Sequence, residues 1–281
     1  NVDDLLQDIL HLMRATDAQV KHYTGTLVLT QPNKDDHLRR FGLVDGQQRM
    51  TTLVILMRCI AKALQYTDTG QYKLLQETYV IRGDLGNEQP VMLLGNEIQP
   101  YFSRVIIADE SKEQVPIEYN SQQALLDAKE RIIKWIAKHS KENQEFPIAL
   151  AKAIEEKLGF LVYSPDDLTE VGIMFEVINN RGKDLSELEK VKNYLIYCCA
   201  KLGANTTRDA VNHSWSFVLR NLRSAHITNS QDESAFLRYC SVVHLGLSKS
   251  NSQNVYAWMK KTWDIDHSLS SPKNRDELIQ K

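Results

Sequence analysis

Residues 47–65 constrain this chain more than any other stretch. They follow one long helical pattern whose apolar residues, Leu53, Val54, Ile55, Leu56, Met57 and Ile60 among them, fall on most faces of the helix. Such a helix must be wrapped on several sides by other elements. Its uninterrupted apolar run, residues 53–57, is far shorter than the ~20 residues a bilayer span needs. No charged, apolar and small leader opens the chain either, so burial inside a protein in the reducing cytoplasm is the expectation.

The flanking segments supply the wrapping. Leu5, Leu6, Ile9, Leu12 and Met13 recur at helical spacing and predict an amphipathic helix over 3–14. A β-branched run over 23–30, closed by Gln31-Pro32-Asn33, predicts a strand and turn; with a second strand over 38–44 it forms a hairpin that Asp45-Gly46 breaks. The apolar runs 79–81 and 91–94, set among glycines, predict short strands. Asn96 is placed to cap a helix carrying Ile98, Tyr101, Phe102 and Val105. Helices follow over 121–139 and 147–158, then a buried strand over 159–164 ended by Pro165. Beyond it the pattern is helical: 167–179, 186–202, 205–223, 231–246 and 253–263. The fold class is therefore α/β in the α+β sense, a small mixed sheet with helices followed by a mostly helical C-terminal part. The expected division is residues 1–200 and 201–281.

Composition excludes several classes. With 34 basic against 36 acidic residues and a net charge of -2, the chain is no basic nucleic-acid coat, although a local DNA-binding patch remains compatible. Four scattered cysteines do not make a disulfide scaffold. No phosphate-binding glycine loop of standard type, no His-Glu-x-x-His and no Cys-x-x-Cys pair occurs. Pro165-Asp166 is followed by no nuclease-type Asp/Glu-x-Lys, so it reads as a turn.

The chemistry concentrates where the hairpin ends and the long helix begins: Asp45-Gly46-Gln47-Gln48-Arg49, then Thr51-Thr52. A strand-to-helix junction offers unpaired main-chain N–H groups and the positive end of a helix dipole, both suited to phosphate. Gly46 allows close approach and a sharp turn. Arg49 offers a guanidinium fork, Gln47 and Gln48 offer amides, and Thr51 and Thr52 offer hydroxyls. A purely structural account also exists, because Asp45 at the cap and Gln48 three residues on match a capping box. It does not cover Arg49, a cation near a helix N-terminus, nor the polar crowding of the first turns.

Those residues resemble the hallmark of the DGQQR-motif family, the N-terminal domain type of the GmrSD restriction enzymes and SspE defence proteins. Two further segments support the resemblance: residues 23–29, similar to the family's preceding strand, and Phe175-Glu-Val-Ile-Asn-Asn-Arg-Gly-Lys-Asp-Leu-Ser186 with Lys192, similar to its second signature. The likeness covers roughly residues 1–200. It implies a ParB/sulfiredoxin-like core that binds an NTP with Mg²⁺, and hydrolyses it in bacterial restriction and anti-phage defence. Asp45 would orient water or metal, and Arg49 would stabilise the transferred phosphoryl group. It also implies DNA, in modified form, as a partner, with a His-Asn-His type nuclease domain or partner chain to cut it. The family's aromatic, Arg-bearing segment ahead of the first helix has no counterpart before Val2, so an N-terminal piece is expected. A module that binds nucleotide or DNA phosphate without turnover, as a sensor or switch, is the alternative; a scaffold in a toxin or regulatory complex is a third.

Read on its own, the second signature is a helical hairpin in which Gly182 terminates one helix and Ser186 with Glu189 caps the next. That leaves Asn179, Asn180, Arg181 and Lys183 as a polar cluster. If the hairpin lies beside the long helix, Asn179 and Arg181 reach the same phosphates, Asn179 or Asp45 through Mg²⁺. One further basic face, Lys129, Arg131, Lys134 and Lys138, could follow a DNA backbone, although Asp127 and Glu130 dilute it.

Overall fold

The computed structural model describes residues 2–14, 21–30, 40–83, 87–111, 114–164, 186–227 and 229–263. The chain divides into two units, Asn1–Val171 and Gly172–Lys281, each with its own core.

Helix α2 (Gln47–Leu64) is the axis of the first unit. Ten of its residues, Arg58 among them, are buried, in an unbroken series from Leu53 to Ala61 plus Leu64, as apolar residues on most faces require. Each fully buried Leu or Ile of this run contributes about 1.5–3 kcal/mol of transfer free energy. The wrapping comes from α1 (Val2–Arg14), α3 (Thr69–Tyr79), α5 (Asn120–Glu142) and α6 (Phe146–Lys157), whose buried faces join the same core. Two other elements share it: α4 (Gln99–Tyr101) and the π-helical turn Phe102–Ile107 that continues α4. The wide π turn releases main-chain carbonyls, which cations from neighbouring helices take up. Arg58 Nε donates to Ile107 O at 2.8 Å, and Lys129 Nζ to Val105 O at 2.6 Å.

The main sheet has three strands in the order β2 (Leu43–Asp45), β1 (His22–Leu29), β5 (Leu158–Tyr163). β1 pairs antiparallel with β2 (Val28 opposite Asp45) and parallel with β5 (His22 opposite Leu158). A second pair, β3 (Ile81–Arg82) and β4 (Gln89–Pro90), is two residues long. The unit is thus mixed α+β, as its sequence predicts.

The second unit is helical among its described residues: α7 (Glu187–Leu202), α8 (Asn205–Ser224), α9 (Ser230–Leu245), a 3₁₀ turn (Asn251–Gln253) and α10 (Val255–Trp263). Val191, Tyr194, Cys198 and Leu202 pack with Val255 and Met259. The expected cap at Ser186 forms: Ser186 Oγ accepts from Glu189 N at 3.2 Å, while Glu189 Oε2 accepts from Ser186 N at 2.9 Å.

Four local expectations change. Residues 69–79 are a helix, started by Asp68, whose Oδ1 accepts from Gln71 N at 2.9 Å; the short strands lie at 81–82 and 89–90 instead of 79–81 and 91–94. Ile98, not Asn96, stands at the cap of α4, with Pro100 in the first turn where its missing N–H costs nothing. β5 is not fully buried, because in the described sheet it is an outer strand: Leu161 and Val162 are 59% and 57% exposed. Lastly, β2 is short, residues 43–45, so Asp45 ends the strand. The predicted helix 167–179 and the terminator Gly182 lie outside the described residues.

Candidate functional site

The junction before α2 is shaped by one residue. Gly46 holds the cap position at φ 90° and ψ 7°, left-handed backbone that a side chain disfavours. Space forbids a side chain as well: a Cβ there would stand 2.4 Å from Leu27 Cδ2 and 3.3 Å from Thr26 O. No side chain caps the helix. The capping box that Asp45 and Gln48 allow on spacing therefore does not form, because Asp45 is paired into β2 opposite Val28. Gly46 itself is buried, whereas Gln47 and Gln48 are exposed at the mouth of the first turn.

Arg49 stands beside this turn. Its Nη1 donates to Thr26 O at 2.7 Å, and its Nη2 lies 4.0 Å from Asp45 Oδ2. The Arg49 side chain is 42% exposed and that of Asp45 25%. The guanidinium is thus anchored through one amine to β1 and only loosely faced by a carboxylate at the other. Ion pairs of that exposure are worth about 0–1 kcal/mol.

The remaining polar residues have local partners. Gln47 Nε2 donates to Leu43 O at 2.7 Å, Thr51 Oγ1 to Gln47 O at 2.8 Å, and Thr52 Oγ1 to Gln48 O at 2.8 Å. Hydroxyls back-bonded to the carbonyl four residues earlier explain how the first turns carry two threonines. Each hydroxyl oxygen keeps lone pairs for a further donor or a metal-bound water.

Two contributors were not singled out in the sequence, Gly25 and the Thr26 carbonyl, both on β1. Their signal was a glycine inside a β-branched strand, which marks a bulge or a close approach. Asn179, Arg181 and the rest of the second signature lie outside the described residues. Among the described residues no group of three His, Cys, Asp or Glu side chains is arranged to hold a metal ion.

The basic face on α5 divides. Lys129 Nζ is tied to Asp109 Oδ1 at 2.6 Å as well as to Val105 O, and its side chain is 12% exposed. Arg131 Nη1 pairs with Asp3 Oδ2 at 2.6 Å. Lys134 and Lys138 are exposed.

A strand-to-helix turn that admits only glycine, with a guanidinium beside the first helical turn, matches the sequence pattern from which a restriction-type domain was expected. Residues 1–196 match the model of the GmrSD restriction endonuclease N-terminal domain. The chain belongs to that family, which places it among restriction and anti-phage defence proteins. No curated protein is detectably similar to it. No helix among the described residues is long and apolar enough to cross a membrane.

Proposed function

We propose that the turn at Gly46 binds the polyphosphate of a nucleoside triphosphate together with Mg²⁺, and that the domain hydrolyses it to drive a nuclease domain or partner chain acting on DNA. The observation that carries this reading is the state of Arg49. One amine is fixed on Thr26 O while the other faces Asp45 across 4.0 Å, in a pair weak enough for a polyphosphate to displace. A polyphosphate brings more charge than one carboxylate and matches the guanidinium fork.

In this reading the uncapped amides of the first turn of α2 receive phosphate oxygens, with the Gln47 and Gln48 amides at its mouth. Arg49 then stabilises the charge that develops on the transferred phosphoryl group. Asp45, released from Arg49, orients the attacking water or joins the Mg²⁺ shell. One protein carboxylate plus substrate phosphates and waters is a usual arrangement for Mg²⁺, so this donor set suits the ion without a preformed acidic cage. Thr51 and Thr52 supply hydroxyl oxygens. Lys134 and Lys138, exposed beside the Asp3-paired Arg131, are the part of the α5 face that would meet DNA.

The test is a titration of the protein with each Mg·NTP, followed by a phosphate-release assay, on wild type and Arg49→Ala. Binding with steady release, the binding weakened about thirtyfold and the release lost in the variant, supports an NTPase. Binding without release makes the domain a nucleotide-held switch. No affinity for any NTP contradicts both and points to a scaffold.

A further inference from the structure

The middle of β1 shows why Arg49 stands where it does. Between the pairs Tyr23–Gly159 and Thr26–Leu161 the strand carries one more residue than β5, so it bulges. Within the bulge Gly25 takes φ 123°, backbone that side-chain-bearing residues rarely adopt. Arg49 lies over that glycine. A Cβ built on residue 25 would stand 2.8 Å from Nη1, 3.0 Å from Cζ and 3.4 Å from Nε of the guanidinium. The bulge also sets the next carbonyl, Thr26 O, as the acceptor of Nη1 at 2.7 Å. It is tied across its own width by the Tyr23 Oη to Thr26 Oγ1 hydrogen bond of 2.8 Å.

We infer that the Gly25 bulge is a positioning element for Arg49: the bare main chain at residue 25 forms the seat of the guanidinium, and Thr26 O fixes its rotation. Gly25 touches no phosphate in this account and acts through Arg49 alone. An arginine side chain carries about 2 kcal/mol of rotamer entropy. Seating it before the ligand arrives removes part of that cost from binding. The seat stands on the geometry of β1 and α2; only its consequence for nucleotide affinity rests on the function proposed above.

The experiment is a double-mutant cycle on the full chain with Gly25→Ala, Arg49→Ala and the pair. Its first measurements are urea unfolding and the Nε–Hε signal of Arg49 in ¹⁵N-arginine-labelled protein. The expected results are a Gly25→Ala stability cost that shrinks in the Arg49→Ala background, where only backbone strain remains, and a displaced Arg49 signal. Equal costs in both backgrounds, or an unmoved Arg49 signal, overturn the inference. If Gly25→Ala alone does not fold, recovery of folded protein in the double variant supports the seat; loss of fold in both overturns it. Titration with Mg·NTP then reads the consequence: Gly25→Ala weakens binding about tenfold with Arg49 present and leaves it unchanged in the Arg49→Ala background. If wild type binds no NTP, the function proposed above fails, while the unfolding cycle and the arginine signal still decide the seat.

Discussion

Thr26 and Arg49 are joined by a 2.7 Å hydrogen bond from the guanidinium Nη1 to the strand carbonyl, so the central strand and the long helix meet at a cation beside the Gly46 turn. Replacing Arg49 by Lys keeps the charge and loses the fork. If the fork is what receives phosphate, Arg49→Lys weakens nucleotide binding nearly as much as Arg49→Ala. The expected loss is about 2 kcal/mol, or roughly thirtyfold, the scale of a hydrogen bond to a charged group. Calorimetric titration of the two variants side by side checks this; full affinity in Arg49→Lys would show that charge alone suffices.

Gly46→Ala meets strain and collision together: φ 90° and a Cβ 2.4 Å from Leu27 Cδ2. Left-handed backbone costs a side-chain-bearing residue about 1–2 kcal/mol, and displacing a buried leucine adds about 1–3 kcal/mol. Urea unfolding should show a lower midpoint with an unchanged slope.

Asp109 accepts from Lys129 at 2.6 Å and pairs with Lys62 at 3.3 Å. Burial by itself would raise its carboxyl, but the two ammonium groups outweigh burial and hold it below the usual carboxylate range. A lowered folded-state pKa gives stability that is present above the unfolded value, about 4, and lost as pH falls through the folded value. Asp109 also sits at φ 63°, which asparagine tolerates, so Asp109→Asn isolates the charge. The variant should be about 1 kcal/mol less stable at neutral pH, with the gap closing below about pH 4. A gap that stays constant on acidification would contradict this assignment.

Of the basic face on α5, Lys129 and Arg131 are tied to Asp109 and Asp3, while Lys134 and Lys138 are exposed, as Arg131 is. If DNA lies along that face, Lys134→Gln with Lys138→Gln lowers the slope of log affinity against log salt by about 2 for duplex DNA. An unchanged slope removes the α5 face from the DNA path.

The sequence made the long buried helix, the hairpin before it and the Ser186–Glu189 cap legible, because each depends on residues close in the chain. What it concealed depends on partners far away. Residues 81–82 and 89–90 pair over two residues only, too short for any alternation to register, and the preceding helix was signalled by Asp68 alone. β5 looked buried from its apolar run, yet an outer strand carries exposed Leu161 and Val162. At the site, local spacing favoured Asp45 as a cap, whereas the pairing of Asp45 with Val28 across the sheet passes the cap position to Gly46. Lys129 read as a surface cation because the π turn that offers it Val105 O has no sequence signature of its own.

A co-crystal structure of the protein with Mg²⁺ and a non-hydrolysable NTP decides whether the Gly46 turn holds phosphate. Phosphate density is expected over the main-chain amides after Gly46, with Arg49 Nη2 turned from Asp45 onto a phosphate oxygen and Nη1 still on Thr26 O. Nucleotide bound elsewhere, with the Gly46 turn empty and the Asp45–Arg49 pair closed, would contradict it.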